Sequence, residues 1–166
     1  SKTRGDWGEL QLQVLLENSG LKKDVNFQMR PTFTDEDGNK TQPDCIIILP
    51  DGKNYIIDSK VSLVAYDNYV GAEEDEEKDT YLRQHIESVK KHIKELSEKD
   101  YSSIYGINPP DYVFMFVPIE PAWFSAIGAT DGELYSFALE RNIVLVSVTT
   151  LIATLRTVSF IWQQEN

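Results

Sequence analysis

PDCIIILPDGKNYIIDSK, residues 43–60, sets two apolar runs, 45–49 and 55–61, on either side of Pro50-Asp51-Gly52-Lys53, a strong turn signal. Short apolar runs bounded by turn residues read as strands, so the stretch predicts a hairpin. Its acids say more. Asp58 and Lys60 interrupt the second strand before it ends and share one of its faces, because side chains alternate along a strand. Asp44 opens the first strand. With an odd number of residues in the turn, Asp44 stands across the ladder from Asp58 or Lys60 and all three point one way; a two-residue turn sends Asp44 to the opposite face. The reading adopted is a three-residue or bulged turn. Two carboxylates so placed repel, and a hard divalent cation with oxygen ligands is the natural way to keep both ionised. Magnesium (Mg2+) is the expected ion, with Mn2+ as its substitute.

Upstream, residues 6–19 carry Trp7, Leu10, Leu12, Val14, Leu15 and Leu16, with Gly20 where a helix would end, and predict a helix. Glu9 shares a face with Leu12 and Leu16, which sets an acid beside a buried stripe and makes it a candidate third metal ligand. Residues 25–33 alternate through Val25, Phe27, Met29 and Phe33, and Pro31 suits an edge strand. Downstream, Leu82, Ile86, Val89, Ile93 and Leu96 recur at steps of four and three and predict a helix over 80–97. Asn108-Pro109-Pro110 stops any regular element before a strand at 112–117. One or two short helices are expected between 121 and 141, then a strand over 143–148. A closing helix capped by Thr149 or Thr150 follows, with the stripe Leu151, Leu155, Val158 and Trp162. Hairpins build a meander and a long helix carries the chain across to a further strand, so the order predicts an α/β fold with a mixed central sheet flanked by helices.

A chain of 166 residues suffices for one domain with a real core. No apolar run approaches the ~20 residues needed to cross a bilayer, so no membrane contact by this domain is expected. Residues 1–6 read as no signal peptide, and the single cysteine, Cys45, fits a reducing, cytoplasmic setting as a small buried side chain. The net charge of −11 argues against a whole-surface affinity for nucleic acid. Part of it is the local run from Glu73 to Asp79, a solvated loop or helix start, while Lys90, Lys91 and Lys94 offer a basic patch.

Pro43-Asp44 followed by Asp58-Ser59-Lys60 after a hairpin resembles the PD-(D/E)xK nuclease motif. Gly8-Glu9-Leu10, LPDGK at 49–53, IDSKVSL at 57–63, HIKELSEKDY at 92–101, PDYVFMFVP at 110–118 and TTLIATLRTVSFIWQQE at 149–165 are similar to the RmuC family of bacterial proteins, nearly end to end. That family is described as DNA recombination proteins and predicted nucleases, usually with an N-terminal membrane anchor and a coiled coil ahead of the nuclease-like domain. The resemblance implies that residues 1–166 are that single domain, with a restriction-endonuclease-like αβββαβ core. Full-length members would then be held at the inner membrane and form homo-oligomers through regions outside this domain. It also implies a site of Glu9, Asp44, Asp58 and Lys60, with DNA as the partner. The family often carries a basic residue ahead of the Pro-Asp pair, where this chain has Gln42.

In such a site Asp44, Asp58 and Glu9 would hold the ion, and Lys60 would orient the attacking water or stabilise the transition state. Gln84, His85, Lys91, His92 and Lys99 are candidates for nucleic-acid contact. His85 and His92 stand two helical turns apart, roughly 10 Å, so they cannot share one metal and read first as helix-flank residues. Trp7, Trp123 and Trp162 read as core or interface, and Tyr101 as a packed ring. A nuclease-fold module that binds DNA or a protein partner without cutting is the alternative function, and a partner-docking scaffold using the acidic run is a third.

Overall fold

The turn chemistry of residues 49–53 produces the hairpin expected of it. Leu49 N–H donates to Lys53 O (2.9 Å) and Gly52 N–H to Leu49 O (3.0 Å), leaving Pro50, Asp51 and Gly52 as a three-residue loop. Gly52 takes φ +86°, the left-handed conformation that this loop requires and that glycine adopts without strain. The odd count sets the register Cys45↔Ile57, Ile46↔Ile56, Ile47↔Tyr55 and Ile48↔Asn54. One step further, Asp44 faces Asp58.

A computed structural model describes residues 2–34, 37–38, 40–59, 62–99, 101 and 112–165. Lys60 and the Asn108-Pro109-Pro110 stop lie outside the described residues. The elements are α1 (Lys2–Asn18), β1 (Phe27–Met29), β2 (Phe33–Thr34), β3 (Lys40–Thr41), β4 (Cys45–Ile48), β5 (Asn54–Ser59), α2 (Val64–Gly71), α3 (Asp75–Ser97), β6 (Val113–Phe116), α4 (Glu120–Ala129), α5 (Glu133–Leu139), β7 (Ile143–Val146) and α6 (Val148–Gln164). Five strands form one sheet in the order β1-β4-β5-β6-β7. The first three pair antiparallel, whereas β6 and β7 run parallel to β5. Helices α2 and α3 make the crossover from β5 to β6, and α4 and α5 that from β6 to β7, as parallel neighbours require. The expected mixed α/β sheet flanked by helices is therefore present.

Alternation along the strands supplies two cores. Cys45, Ile47, Ile57, Phe116 and Val146 pack with Leu12 and Leu16 of α1 and with Leu151, Leu155 and Val158 of α6. Ile46, Ile56, Met115, Ile143 and Leu145 pack on the other face with Val89, Ile93 and Leu96 of α3, Ala126 of α4, and Leu134 and Ala138 of α5. Trp162 ties α6 to the sheet by donating Nε1–H to Ile48 O (2.9 Å), and Trp123 donates to Leu145 O (3.1 Å) on the edge strand β7. Trp7 is exposed instead, as are Leu10 and Val14. Among the described residues no helix is long and apolar enough to cross a membrane.

Four expectations need correction. The strand over 25–33 is two pieces, because Arg30 adopts φ +49° ahead of Pro31 and breaks the extended run; β2 then pairs with β3 in a separate ribbon. Helix α2 was not foreseen: its sequence VAYDNYVG buries only Tyr66 and has no apolar period. Helix α3 starts at Asp75, the acidic run forming its first turn, where negative charge opposes the helix dipole. The cap of α6 is Ser147. Its side chain accepts from Thr150 N–H (3.2 Å) while Thr150 Oγ1 accepts from Ser147 N–H (2.7 Å), a reciprocal box in which Thr150 is the third helical residue.

Candidate functional site

Asp44 precedes β4 and Asp58 is the next-to-last residue of β5, at the end of the sheet where the parallel strands finish. By alternation both point to the face that carries Ile46 and Ile56. Their carboxylates take over where the ladder stops. Asp44 N–H donates to Asp58 Oδ1 (3.0 Å), and Ser59 N–H donates to Asp44 Oδ2 (2.6 Å). Each acid thus accepts from the backbone of the opposite strand.

The surroundings are dry. Asp58 is 6% exposed. Burial raises the Asp44 pKa from 3.8 to about 6, the charge of Asp58 adds to the rise and that of Glu9 follows, while the Ser59 N–H and the Lys99 ammonium oppose it. The Cys45 thiol is pushed far above its ordinary pKa by burial and then by both aspartates, so it is an inert core group.

Two residues just past the end of α3 supply further groups. Tyr101, 3% exposed, donates its phenolic hydrogen to Asp58 Oδ2 at 2.6 Å, and Lys99 Nζ stands 3.9 Å from the same oxygen on a half-exposed side chain. Burial, with the charge of Asp58 second, drives the Tyr101 pKa far upward, so the phenol remains a donor. Glu9, on α1, reaches the site by its field on Asp44, but its Oε1 lies 3.2 Å from Arg30 Nε. That ion pair lacks hydrogen-bond geometry, and among the described residues neither the buried Glu9 Oε1 nor the buried Ser59 Oγ finds a hydrogen-bond partner. Gln42 is turned to the end of β1, donating to Arg30 O (3.2 Å) and Thr32 Oγ1 (2.9 Å).

Of the residues expected to contact nucleic acid, Lys99 is the one the fold brings to the acids. Gln84 and Lys91 are exposed on α3, Lys91 within 4.0 Å of Glu95, and His92 is half-buried. Gln84 sits roughly 20 Å along the helix axis from Ser97. His85 is not a flank residue: it is fully buried, its Nε2 2.8 Å from Ala122 O and its ring 5.4 Å from that of Tyr66. The basic patch takes another membership. Lys90 and Lys94 lie over the Phe137 ring at 4.9 and 5.9 Å, together with Arg141 at 3.6 Å. Tyr101, which the sequence offers as a packed ring, is both packed and a site residue, and its bond to Asp58 spans 43 positions, beyond any local pattern.

The donor set suits a hard cation in part. Asp44 and Asp58 converge, all the donors are oxygens, and their repulsion is what a divalent charge would relieve. Among the described residues no three His, Cys, Asp or Glu groups are arranged to hold a metal ion. Two carboxylates alone would suit a hard cation that keeps water in most of its positions, as magnesium usually does.

Residues 1–166 match the RmuC family over their whole length. The chain belongs to the RmuC family. It is 44% identical over 164 residues to the DNA recombination protein RmuC homolog of Haemophilus influenzae, covering 99% of this chain and 36% of that protein. The homolog from Vibrio cholerae is 45% identical over 165 residues, covering 99% of this chain and 32% of that protein. The DNA recombination protein RmuC of Escherichia coli is 42% identical over 166 residues, covering 100% of this chain and 35% of that protein. The chain thus spans about a third of the length of these RmuC relatives. No solved structure matches it.

Proposed function

We propose that this RmuC chain is a metal-dependent DNA nuclease domain of the PD-(D/E)xK type, hydrolysing phosphodiesters in DNA recombination or genome maintenance. The observation that carries the reading is the placement of Asp44 directly opposite Asp58, on one face and at one end of the sheet, with their charges coupled. The succession α1, β1, β4, β5, α3, β6 supports an αβββαβ core of the restriction-endonuclease kind. The relatives' names support the setting in recombination.

Asp44 and Asp58 would hold Mg2+ or Mn2+, with Glu9 as an outer or third ligand. Bound there, the ion supplies Lewis acidity at the phosphate and lowers the pKa of a coordinated water. The chain's own groups do the rest. Lys99, half-exposed beside Asp58, is placed to pair with a phosphate oxygen, and Lys60 is the motif lysine assigned to the attacking water. Gln84, Lys91 and His92 remain the proposed DNA-contact set along α3; His85, with no exposed surface and its Nε2 on Ala122 O, is a packing residue instead. We read residues 1–166 as one cytoplasmic domain without membrane contact, joined to oligomers or to the inner membrane by regions of full-length members.

A silent binding module is favoured by one observation: the third carboxylate, Glu9, is paired with Arg30. A cleavage assay separates the two. With end-labelled single-stranded, double-stranded and branched DNA and Mg2+ or Mn2+, the nuclease reading expects products that EDTA abolishes. Asp58→Asn and Lys60→Ala should lower the rate by 10²-fold or more, the order expected when charge stabilisation at the reacting centre is removed. Metal-independent binding without cleavage in every condition would leave the module.

A further inference from the structure

Helix α3 is closed by two backbone bonds, Glu98 N–H to Lys94 O and Lys99 N–H to Leu96 O, both 3.2 Å. Leu96, buried just before this close, and Tyr101, buried just after it, fix the chain on the sheet. The phenol is thereby aimed at Asp58, on the element that enters the sheet 43 residues earlier. Its hydroxyl takes one lone pair of Oδ2, and Asp44 N–H takes one of Oδ1. A carboxylate offers about four such sites, so two donors pulling on its two oxygens fix its plane and leave one site on each for a further partner.

We propose that Tyr101 is a positioning residue for the Asp44–Asp58 pair: its hydroxyl holds the Asp58 carboxylate in the orientation that receives a divalent cation. The inference rests on the metal-binding reading above. Its chemical logic lies in what the donor is. A lysine or arginine at this position would orient the carboxylate and also cancel its charge, in competition with an incoming cation. A phenol orients it and leaves the charge in place. Lys99 does not duplicate this role, for its ammonium stays 3.9 Å from Oδ2, beyond hydrogen-bond length, on a side chain half in water. Partners that hold a ligating carboxylate in this way ordinarily contribute about 10- to 100-fold in metal affinity.

The test is Tyr101→Phe in the full chain, which keeps the ring in its buried place. Metal-stripped protein is titrated with Mn2+ and followed by electron paramagnetic resonance, with the melting temperature measured in parallel. The expected result is Mn2+ affinity lowered at least about 10-fold with a melting temperature within a few degrees of the parent. Tyr135→Phe, at a half-buried tyrosine outside the site, should change neither. Wild-type protein that binds Mn2+, loses it on Asp58→Asn and keeps it undiminished on Tyr101→Phe would overturn this inference alone. Wild-type protein that binds no Mn2+ would overturn it together with the metal-dependent reading.

Discussion

Replacing Asp44 by asparagine should make the metal-free protein more stable at neutral pH. The folded state holds Asp44 at a pKa of about 6, against 3.8 for its ordinary environment, because burial and the neighbouring Asp58 disfavour the charge. Above pH 6 the folded protein must ionise this group at a cost of about 3 kcal/mol relative to the unfolded chain. Between pH 6 and 3.8 the folded state binds the proton more tightly, so the cost shrinks as pH falls and is gone below the lower value. Asparagine keeps a carbonyl oxygen for the Ser59 N–H and carries no charge. The substitution should therefore gain up to about 3 kcal/mol at pH 8, roughly 6–12 °C in melting temperature for a chain of this size, and only about 0.5 kcal/mol at pH 4. Urea unfolding of both proteins in EDTA, followed by circular dichroism at the two pH values, measures the difference. An equal effect at both, or a loss of stability at pH 8, would refute the argument that burial, with the Asp58 charge second, disfavours the ionised Asp44.

Two further outcomes follow from local geometry. Gly52→Val puts a β-branched side chain at φ +86° and should cost roughly 1–2 kcal/mol or more in urea unfolding; if it also shifts the register by one residue, metal binding is lost with it. Ser147→Ala removes one half of the reciprocal cap of α6 and should cost about 1 kcal/mol, while Thr149→Ala, whose side chain is no part of that cap, should cost less.

What could be read in the sequence was what is decided over short distances. Pro50-Asp51-Gly52 marks the turn but not its length; the demand that Asp44, Asp58 and Lys60 share a face selects an odd loop, and alternation then carries Asp44 and Asp58 to one face. The α6 cap is legible too, since Ser147 and Thr150 have the spacing of a capping box, although Thr149 and Thr150 are capping residue types themselves. His85 lies four residues before Val89 on the stripe that α3 buries, a period that outranks its polarity. The break at Arg30 and the reach of Tyr101 to Asp58 depend on partners far along the chain, and no window of neighbouring residues contains them.

Because the Asp58 carboxylate accepts from Asp44 N–H and the Asp44 carboxylate from Ser59 N–H, the two acids also staple the open end of the β4–β5 hairpin. Selection for folding and selection for chemistry would press on the same two side chains. A descendant that had ceased to cut would keep them for the sake of its sheet, so their survival in any family member records an intact hairpin before it records an active enzyme.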